Sequence, residues 1–407
     1  MTRYYIGVDW ADQAHAVWVG DETGTQVAAR LVKQTVEGLS EWGRWLDECR
    51  AQGSELWAAI EKPEGRLVDF LLDHGVVVYP INPKALDRAR DRFRMSQSKS
   101  DVFDAWVLAE FLRTDHSHLQ PLVPNSEPAQ ELKLLTRDYH RLVRQQTRLL
   151  NQLTATLKEY YPLPLAVFED LKTAVARDFL STHPMPQGVA ALTRTQWTKF
   201  ARAHGLSAAR TAELWEQLQQ PQLPVPAHVV RAKARLVRVL VAELGTVGDA
   251  VDEYRKAVED FFARMPAAEW ARTLPGGKSG TTVPTLWAEL GDADGHWQGF
   301  RHLQAEAGAV PVTKRSGKSQ VVHFRFACNL HLRYAVYWLA FLSLRQSEWA
   351  RVYYQRHRAR GHSHHRALRA LGAKWLKIIF VMWKTHTPYD ETYHLANMAR
   401  QHLRQAA

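Results

Sequence analysis

Tyr4-Tyr5-Ile6-Gly7-Val8-Asp9-Trp10 opens the chain with an apolar run that ends on a carboxylate. Similar runs follow at His15–Val19 and Val27–Val32, rich in β-branched and aromatic residues that alternate with others. A period of two with these residue types predicts three strands, the first two paired as a hairpin. The pattern then changes. Val36–Arg50 carries Leu39, Trp42, Leu46 and Cys49 on or near one helical face. Glu55–Ile60 is a short apolar strand that delivers Glu61, and Pro63 ends it. Arg66–His74 reads as a helix, Val76–Tyr79 as a further apolar run, and Pro83–Phe93 and Asp101–Leu112 as helices. Antiparallel strands followed by alternating helices and strands predict a mixed sheet flanked by helices.

Four acids stand where such a fold gathers side chains. Asp9 ends the first strand, and Glu61 ends a later one. Asp101 and Asp104 begin a helix in Lys99-Ser100-Asp101-Val102-Phe103-Asp104-Ala105. Residues three apart on a helix face the same way, so Asp101 and Asp104 form a pair. Phosphodiester cleavage needs an activated nucleophile and relief of charge on the leaving oxygen, which two divalent ions can supply. Mg²⁺ takes oxygen ligands, several of them carboxylates. Taken singly, each acid reads rather as a cap or a surface charge, and only the set points to a metal site; Asp101 suits a helix N-terminus in any case.

The rest of the chain is helical in pattern. Residues 126–160 read as one long polar helix with apolar positions from Leu132 to Leu157 at spacings of three, four and once seven, as in a coiled-coil arm or packed hairpin. Residues 165–264 are helical, punctuated by Pro184, Pro186 and the Pro221–Pro226 cluster. Leu274-Pro275-Gly276-Gly277-Lys278-Ser279-Gly280 then separates two helices. It is not a phosphate-binding P-loop, because Arg272 stands where a glycine is needed and no strand precedes it. A helix–hairpin–helix turn with amides toward a DNA phosphate and a plain tight turn both fit.

Composition narrows the class. With 407 residues, 46% of them apolar, the chain can bury a core without disulfides, and its two cysteines match no zinc spacing. A reducing, cytoplasmic setting is expected, without signal peptide or membrane span. Charge is one-sided. Between Glu306 and Asp390 lie fifteen Lys and Arg residues and one acid, Glu348. Interleaved with aromatics, this region predicts a nucleic-acid surface. Its candidate contacts are Lys314, Arg315, Lys318, Arg325, Arg333, Arg356, Arg358, Arg360, Arg366 and Arg369. His362-Ser363-His364-His365 belongs to this basic face, since no further ligands at zinc spacing stand nearby. Ser316 sits in what reads as an exposed turn, Pro311–Lys318, among three cations and before a glycine. That is a setting for attack on phosphorus. On its residues alone, Ser316 reads as a phosphate-contacting or solvated loop serine. No local His serves as its base, and His323, seven residues on, is not assigned.

Asp9 in Gly-Val-Asp, Glu61 after an apolar strand and Lys-x-Asp-x-x-Asp-Ala at 99–105 resemble the DEDD-type insertion-sequence transposases, the bridge-RNA-guided recombinases. The later landmarks follow in order: Leu274-Pro275-Gly276, Glu289-Leu290-Gly291-Asp292, Ala307-Gly308, Pro311, Ser316-Gly317-Lys318, Tyr353-Tyr354, Gly361, Ala367–Leu371 and Thr387-Pro388-Tyr389-Asp390. The resemblance spans nearly the whole chain. It implies an α/β plus α architecture. A RuvC-like domain of the ribonuclease H fold would occupy 1–122, a helical coiled-coil region 123–265, and a mainly helical transposase domain 266–407. It implies that Asp9, Glu61, Asp101 and Asp104 bind Mg²⁺, or Mn²⁺, and that Ser316 is a nucleophile forming a phosphoserine link to DNA. It further implies donor and target DNA as partners, a structured guide RNA, a homodimer or homotetramer in which one subunit's acids complete another's serine site, and action at a bacterial nucleoid. Base pairing to an RNA would leave the protein to recognise backbone rather than sequence. Two stretches depart from the family. The Pro275–Gly280 turn is more polar than the usual Pro-Gly-Ile-Gly, and His323–Asn329 is less polar than expected, as if to pack inward.

Other readings remain open on the residues. One is a metal-dependent nuclease or junction resolvase in which Ser316 is inert. Another is a nucleic-acid-binding protein without catalysis. A sugar-kinase-like ATPase ranks last, because no glycine-rich turn follows Gly7-Val8-Asp9.

Overall fold

A computed structural model describes residues 2–93, 100–317 and 319–406. It divides into two compact units, residues 1–124 with 293–296, and residues 125–292 with 297–407. Among the described residues no helix is long and apolar enough to cross a membrane.

The first unit is built on a five-stranded sheet. Its strands are β1 (Arg3–Asp9), β2 (Ala14–Gly20), β3 (Gln26–Lys33), β4 (Glu55–Ile60) and β5 (Val77–Pro80), in the order β3-β2-β1-β4-β5. β1, β2 and β3 pair antiparallel, whereas β4 and β5 join in parallel. The predicted mixed sheet is therefore present. Its helices are α1 (Val36–Ala51), α2 (Arg66–Asp73), α3 (Pro83–Phe93) and α4 (Asp101–Asp115). Ile6 and Val8 on β1 share one core with Trp42 and Leu46 of α1 and Leu67 and Leu71 of α2. Tyr5 packs on the opposite face with Leu86 of α3 and Leu108 and Leu112 of α4. A sheet covered on both faces needs apolar residues in succession, and this is why β1 and β4 read as runs.

The second unit is helical apart from one hairpin. It contains α5 (Glu127–Tyr160), five shorter helices α6 (Leu163–Val167), α7 (Ala174–Thr182), α8 (Pro186–Ala190), α9 (Arg194–Ala203) and α10 (Ala208–Leu218), and then α11 (Ala227–Ala263). Next come α12 (Ala268–Ala271), α13 (Thr282–Leu290) and α14 (Phe300–Glu306). The hairpin strands β6 (Val312–Ser316) and β7 (Ser319–His323) precede α15 (Leu330–Gln346), α16 (Glu348–Ala359), α17 (His364–Thr385) and α18 (Glu391–Ala406). Leu149, Leu153 and Leu157 of α5 share a core with Val237, Val241 and Leu244 of α11. Leu132, near the start of α5, instead shares one with Val258 and Phe262 near the end of α11. The two long helices thus pack antiparallel, one of the two arrangements their apolar spacing allows.

Within the stretch that reads as an exposed turn, residues 312–316 form a strand. Val312–Ser316 and Ser319–His323 pair as antiparallel strands, with Ser316 opposite Ser319. Val312, Val321 and Val322 favour this extended backbone, and Gly317 supplies the positive φ, 54°, that a tight hairpin turn requires.

Candidate functional site

β1 and β4 run parallel with Val8 opposite Ile60. Asp9 and Glu61 therefore leave the same end of neighbouring strands, whose backbones lie about 4.8 Å apart. Glu61 is exposed, while Asp9 is partly buried. The next residues, Trp10 and Lys62, meet as a cation–π pair with Lys62 Nζ 4.1 Å from the ring centroid. They form a rim beside the two acids.

α4 supplies the other pair. Ser100 caps it, accepting a hydrogen bond from the Phe103 amide at 3.2 Å, and this places Asp101 and Asp104 in the first turn. The helix lies on the sheet at Gly7. A Cβ built there would stand 1.8 Å from the Ala105 carbonyl oxygen and 2.6 Å from the Ala109 amide nitrogen. Only a glycine with small residues opposite allows that approach, and Ala105 and Ala109 are fully buried. Gly7 thus sets the helix height, which brings Asp104 beside the end of β1.

The electrostatics record this convergence. Burial pushes the Asp9 carboxyl up from 3.8 to about 6, with Asp104, Asp101 and Glu61 adding to the rise and Arg90 opposing it. The other three acids therefore all act on Asp9. Arg90, from α3, was not singled out by sequence. Its Nε donates to Asp104 Oδ1 at 2.6 Å and its Nη2 to Oδ2 at 2.8 Å, while Nη1 reaches Asp87 at 2.6 Å. Nothing in sequence spacing signals this contact, because α3 and α4 meet only in the folded unit.

The set fits a divalent ion in kind. Every donor is a carboxylate oxygen, the ligand type of hard cations, and Asp9 is raised by burial and by its acidic neighbours, both of which a bound cation would offset. It is not closed around a metal position. Among the described residues, no three His, Cys, Asp or Glu side chains are grouped to hold one. Glu61 and Asp101 are exposed, and Arg90 holds Asp104.

Ser316 lies at the exposed tip of the β6–β7 hairpin. Strand alternation puts Lys314 and Ser316 on one face with Ser319, Val321 and His323, and Arg315 on the other. His323 shares the serine's face but pairs with Val312, four residues away, on the order of 13 Å along the ribbon. It is not placed as a base. Lys318 and Lys99, both named from sequence, lie outside the described residues.

The remaining cations divide. Lys314, Arg315, Arg356, Arg358, Arg360 and Arg366 are exposed. Arg325, Arg333 and Arg369 are partly buried and engaged within the protein. Arg325 Nε donates to the Val310 carbonyl at 3.3 Å, Arg333 Nη2 donates to the Arg325 carbonyl, and the Arg333 and Arg369 guanidiniums lie over the Phe324 ring. The 274–280 turn is also engaged inward. The Gly276 amide donates to Gln346 Oε1 at 2.8 Å, that of Gly280 to Glu259 Oε1 at 3.0 Å, and that of Gly277 to the Leu274 carbonyl. These three amides are not turned to a phosphate. Glu289, in the Glu289–Asp292 landmark, is buried. Burial alone would raise its pKa, but Arg137 and Asn329 hold it below the usual carboxylate range. Arg137 Nε reaches it at 2.9 Å and Asn329 Nδ2 at 2.7 Å. It ties α5 and α13 to the capping residue of α15.

Comparison with known proteins adds the following. A DEDD transposase model of the IS110 type matches residues 6–162, and the transposase IS116/IS110/IS902 family model matches residues 269–355. The first span includes the four acids and the second includes Ser316. The chain is 33% identical over 403 residues, 95% of each chain, to the mini-circle putative transposase for IS117 of Streptomyces coelicolor. It is 35% identical over 202 residues to the putative transposase y4uE of Sinorhizobium fredii, covering 49% of this chain and 56% of that one. An uncharacterized 42 kDa protein of the insertion element IS900 of Mycobacterium paratuberculosis is 27% identical over 396 residues, 95% of this chain and 96% of its own.

Proposed function

Because the chain belongs to the IS110/IS116/IS902 family of transposases, we propose that it cuts and rejoins insertion-element DNA through Asp9, Glu61, Asp101, Asp104 and Ser316. The observation that carries this reading is the response of Asp9. Burial raises its pKa most, and Asp104, Asp101 and Glu61 raise it further against the opposing Arg90, as expected where carboxylates from separate elements converge on one place that could hold a cation. Members of DEDD-type families depend on divalent metal, and Mg²⁺, or Mn²⁺ in its place, is the ion proposed here. Bound among the four acids, it would stabilise charge on the phosphate and on the leaving oxygen.

The chain's own residues do the rest. Ser316 Oγ attacks phosphorus, forming one P–O ester bond as the bond to the leaving sugar oxygen breaks. The serine proton passes to a carboxylate, and the leaving oxygen takes up a proton. Reversal with a different sugar hydroxyl rejoins the strand, so no bond energy is lost between the two exchanges. Lys314, on the serine's face of the ribbon, and Arg315 beside it place positive charge at the hairpin tip. The exposed Arg356, Arg358, Arg360 and Arg366 hold phosphates nearby. A guide RNA supplies sequence recognition, and a dimer or tetramer supplies acids from one subunit to the serine of another. The test is Mg²⁺-dependent cleavage of element-junction DNA. Asp9→Asn is expected to abolish cleavage while DNA affinity stays at the wild-type level, and wild-type cleavage in this variant would remove the acid site from the chemistry.

A further inference from the structure

The loop that leaves the hairpin presents Phe326 to solvent at 79% exposure, although the residues around it suggested that it would pack inward. Its partner, Phe324, meets it edge to face at 4.9 Å and 79°. Phe324 is held in turn by two guanidiniums over its ring, Arg369 at 4.5 Å from the centroid and Arg333 at 4.9 Å. Arg333 also donates to the carbonyl of Arg325, between the two phenylalanines, so the loop backbone is fixed to α15. The result is an exposed phenyl ring on a rigid cationic base. Burying such a ring would stabilise the fold, and here that contribution is forgone.

We propose that Phe326 is a stacking platform for an unpaired nucleobase of the strand handled by the hairpin. Charge selects the occupant. Residues 307–389 contain fifteen cations and one acid, so a second copy of this surface would meet like charge, whereas phosphates flanking a base would meet complementary charge. Stacking selects the state of the strand. Bases inside a duplex already stack on one another, so an exposed phenyl face takes a base that is unpaired or turned out. The hairpin sets the reach. The platform lies beyond the rung Val312–His323, which is itself on the order of 13 Å along the ribbon from Ser316. The inference rests on the proposed role of the hairpin in strand transfer and adds the feature of the strand that it recognises.

Equilibrium binding of the full-length protein to a short single-stranded DNA carrying 2-aminopurine, to its RNA counterpart and to the corresponding duplex tests the proposal without requiring catalysis. The wild type is expected to bind the single strand and quench the 2-aminopurine. Phe326→Ala should weaken that binding about tenfold or more and abolish the quench, with duplex affinity unchanged. Phe326→Trp should restore both. A loss confined to the DNA or to the RNA arm identifies the source of the base. Wild-type single-strand affinity in Phe326→Ala, equal loss on single strand and duplex, or a Phe326→Ala chain that changes oligomeric state in sedimentation would each overturn the platform. A wild type that binds none of the three would instead overturn the nucleic-acid reading on which it rests.

Discussion

Arg90 holds both oxygens of Asp104, Nε to Oδ1 at 2.6 Å and Nη2 to Oδ2 at 2.8 Å. Asp104 is only 6% exposed, so this guanidinium neutralises a buried acid at the centre of the proposed metal site. Removing one partner of a buried pair leaves an uncompensated charge and costs about 3 kcal/mol. Arg90→Ala should therefore melt well below the wild type in chelator. A divalent ion can take over the compensation, so millimolar Mg²⁺ should narrow the gap. Thermal melts with and without Mg²⁺ check this, and a gap indifferent to the ion would place no metal at Asp104.

Asp9 yields a pH dependence with a definite sign. Its folded pKa, about 6, lies above its ordinary 3.8, so the fold favours the protonated form. The stability this contributes is present below about pH 4 and is lost as pH rises to 6. Asp9→Asn escapes the loss. In chelator it should be more stable than the wild type above pH 6, by about 1 kcal/mol after solvent screening of a half-buried group, and no more stable at pH 4. Denaturation curves at the two pH values measure the difference.

Gly7 carries the helix–sheet contact. Gly7→Ala would push a methyl into the Ala105 carbonyl and the Ala109 amide, backbone atoms that cannot turn aside. A cost of about 3 kcal/mol is expected, with α4 displaced from β1. Mg²⁺ binding followed by calorimetry should be lost even under conditions where circular dichroism still reports a folded chain.

Glu289 separates a structural acid from the four proposed to hold a metal. Its side chain is fully buried against Arg137 and Asn329. Glu289→Ala should lower the second unit's unfolding free energy by about 3 kcal/mol, and Glu289→Gln by less, because the amide still accepts from Asn329. Mg²⁺ affinity should be unchanged in both variants, as measured by the same calorimetry.

Much of the first unit is legible in the sequence because its interactions are local or periodic. Tyr4–Asp9 and Glu55–Ile60 are covered on both faces, so they read as apolar runs, and parallel pairing alone then puts Asp9 and Glu61 at one end. Asp101 and Asp104 follow from helical spacing. Arg90 does not, because its link to Asp104 joins two helices whose packing no local pattern encodes. The hairpin at 312–323 is obscured for a related reason. Its strands are short, exposed and rich in Lys, Arg and Ser, so neither face carries the alternation that marks a half-buried strand. In sequence the amides of Gly276, Gly277 and Gly280 suit either a phosphate-facing turn or a plain tight turn. Gln346 and Glu259, both distant from the turn in sequence, engage two of them, and the Leu274 carbonyl engages the third.

On the proposed mechanism Ser316 becomes covalently joined to DNA in a reaction that needs the acids. Trapping tests it most directly. The protein, Mg²⁺, element-derived RNA and labelled junction DNA are incubated, denatured and resolved, with Ser316→Ala and Asp9→Asn beside the wild type. Label travelling with the wild-type protein and absent from both variants is the predicted result. Cleavage equal to wild type in Ser316→Ala, with no adduct in either protein, would contradict it and leave a metal-dependent nuclease.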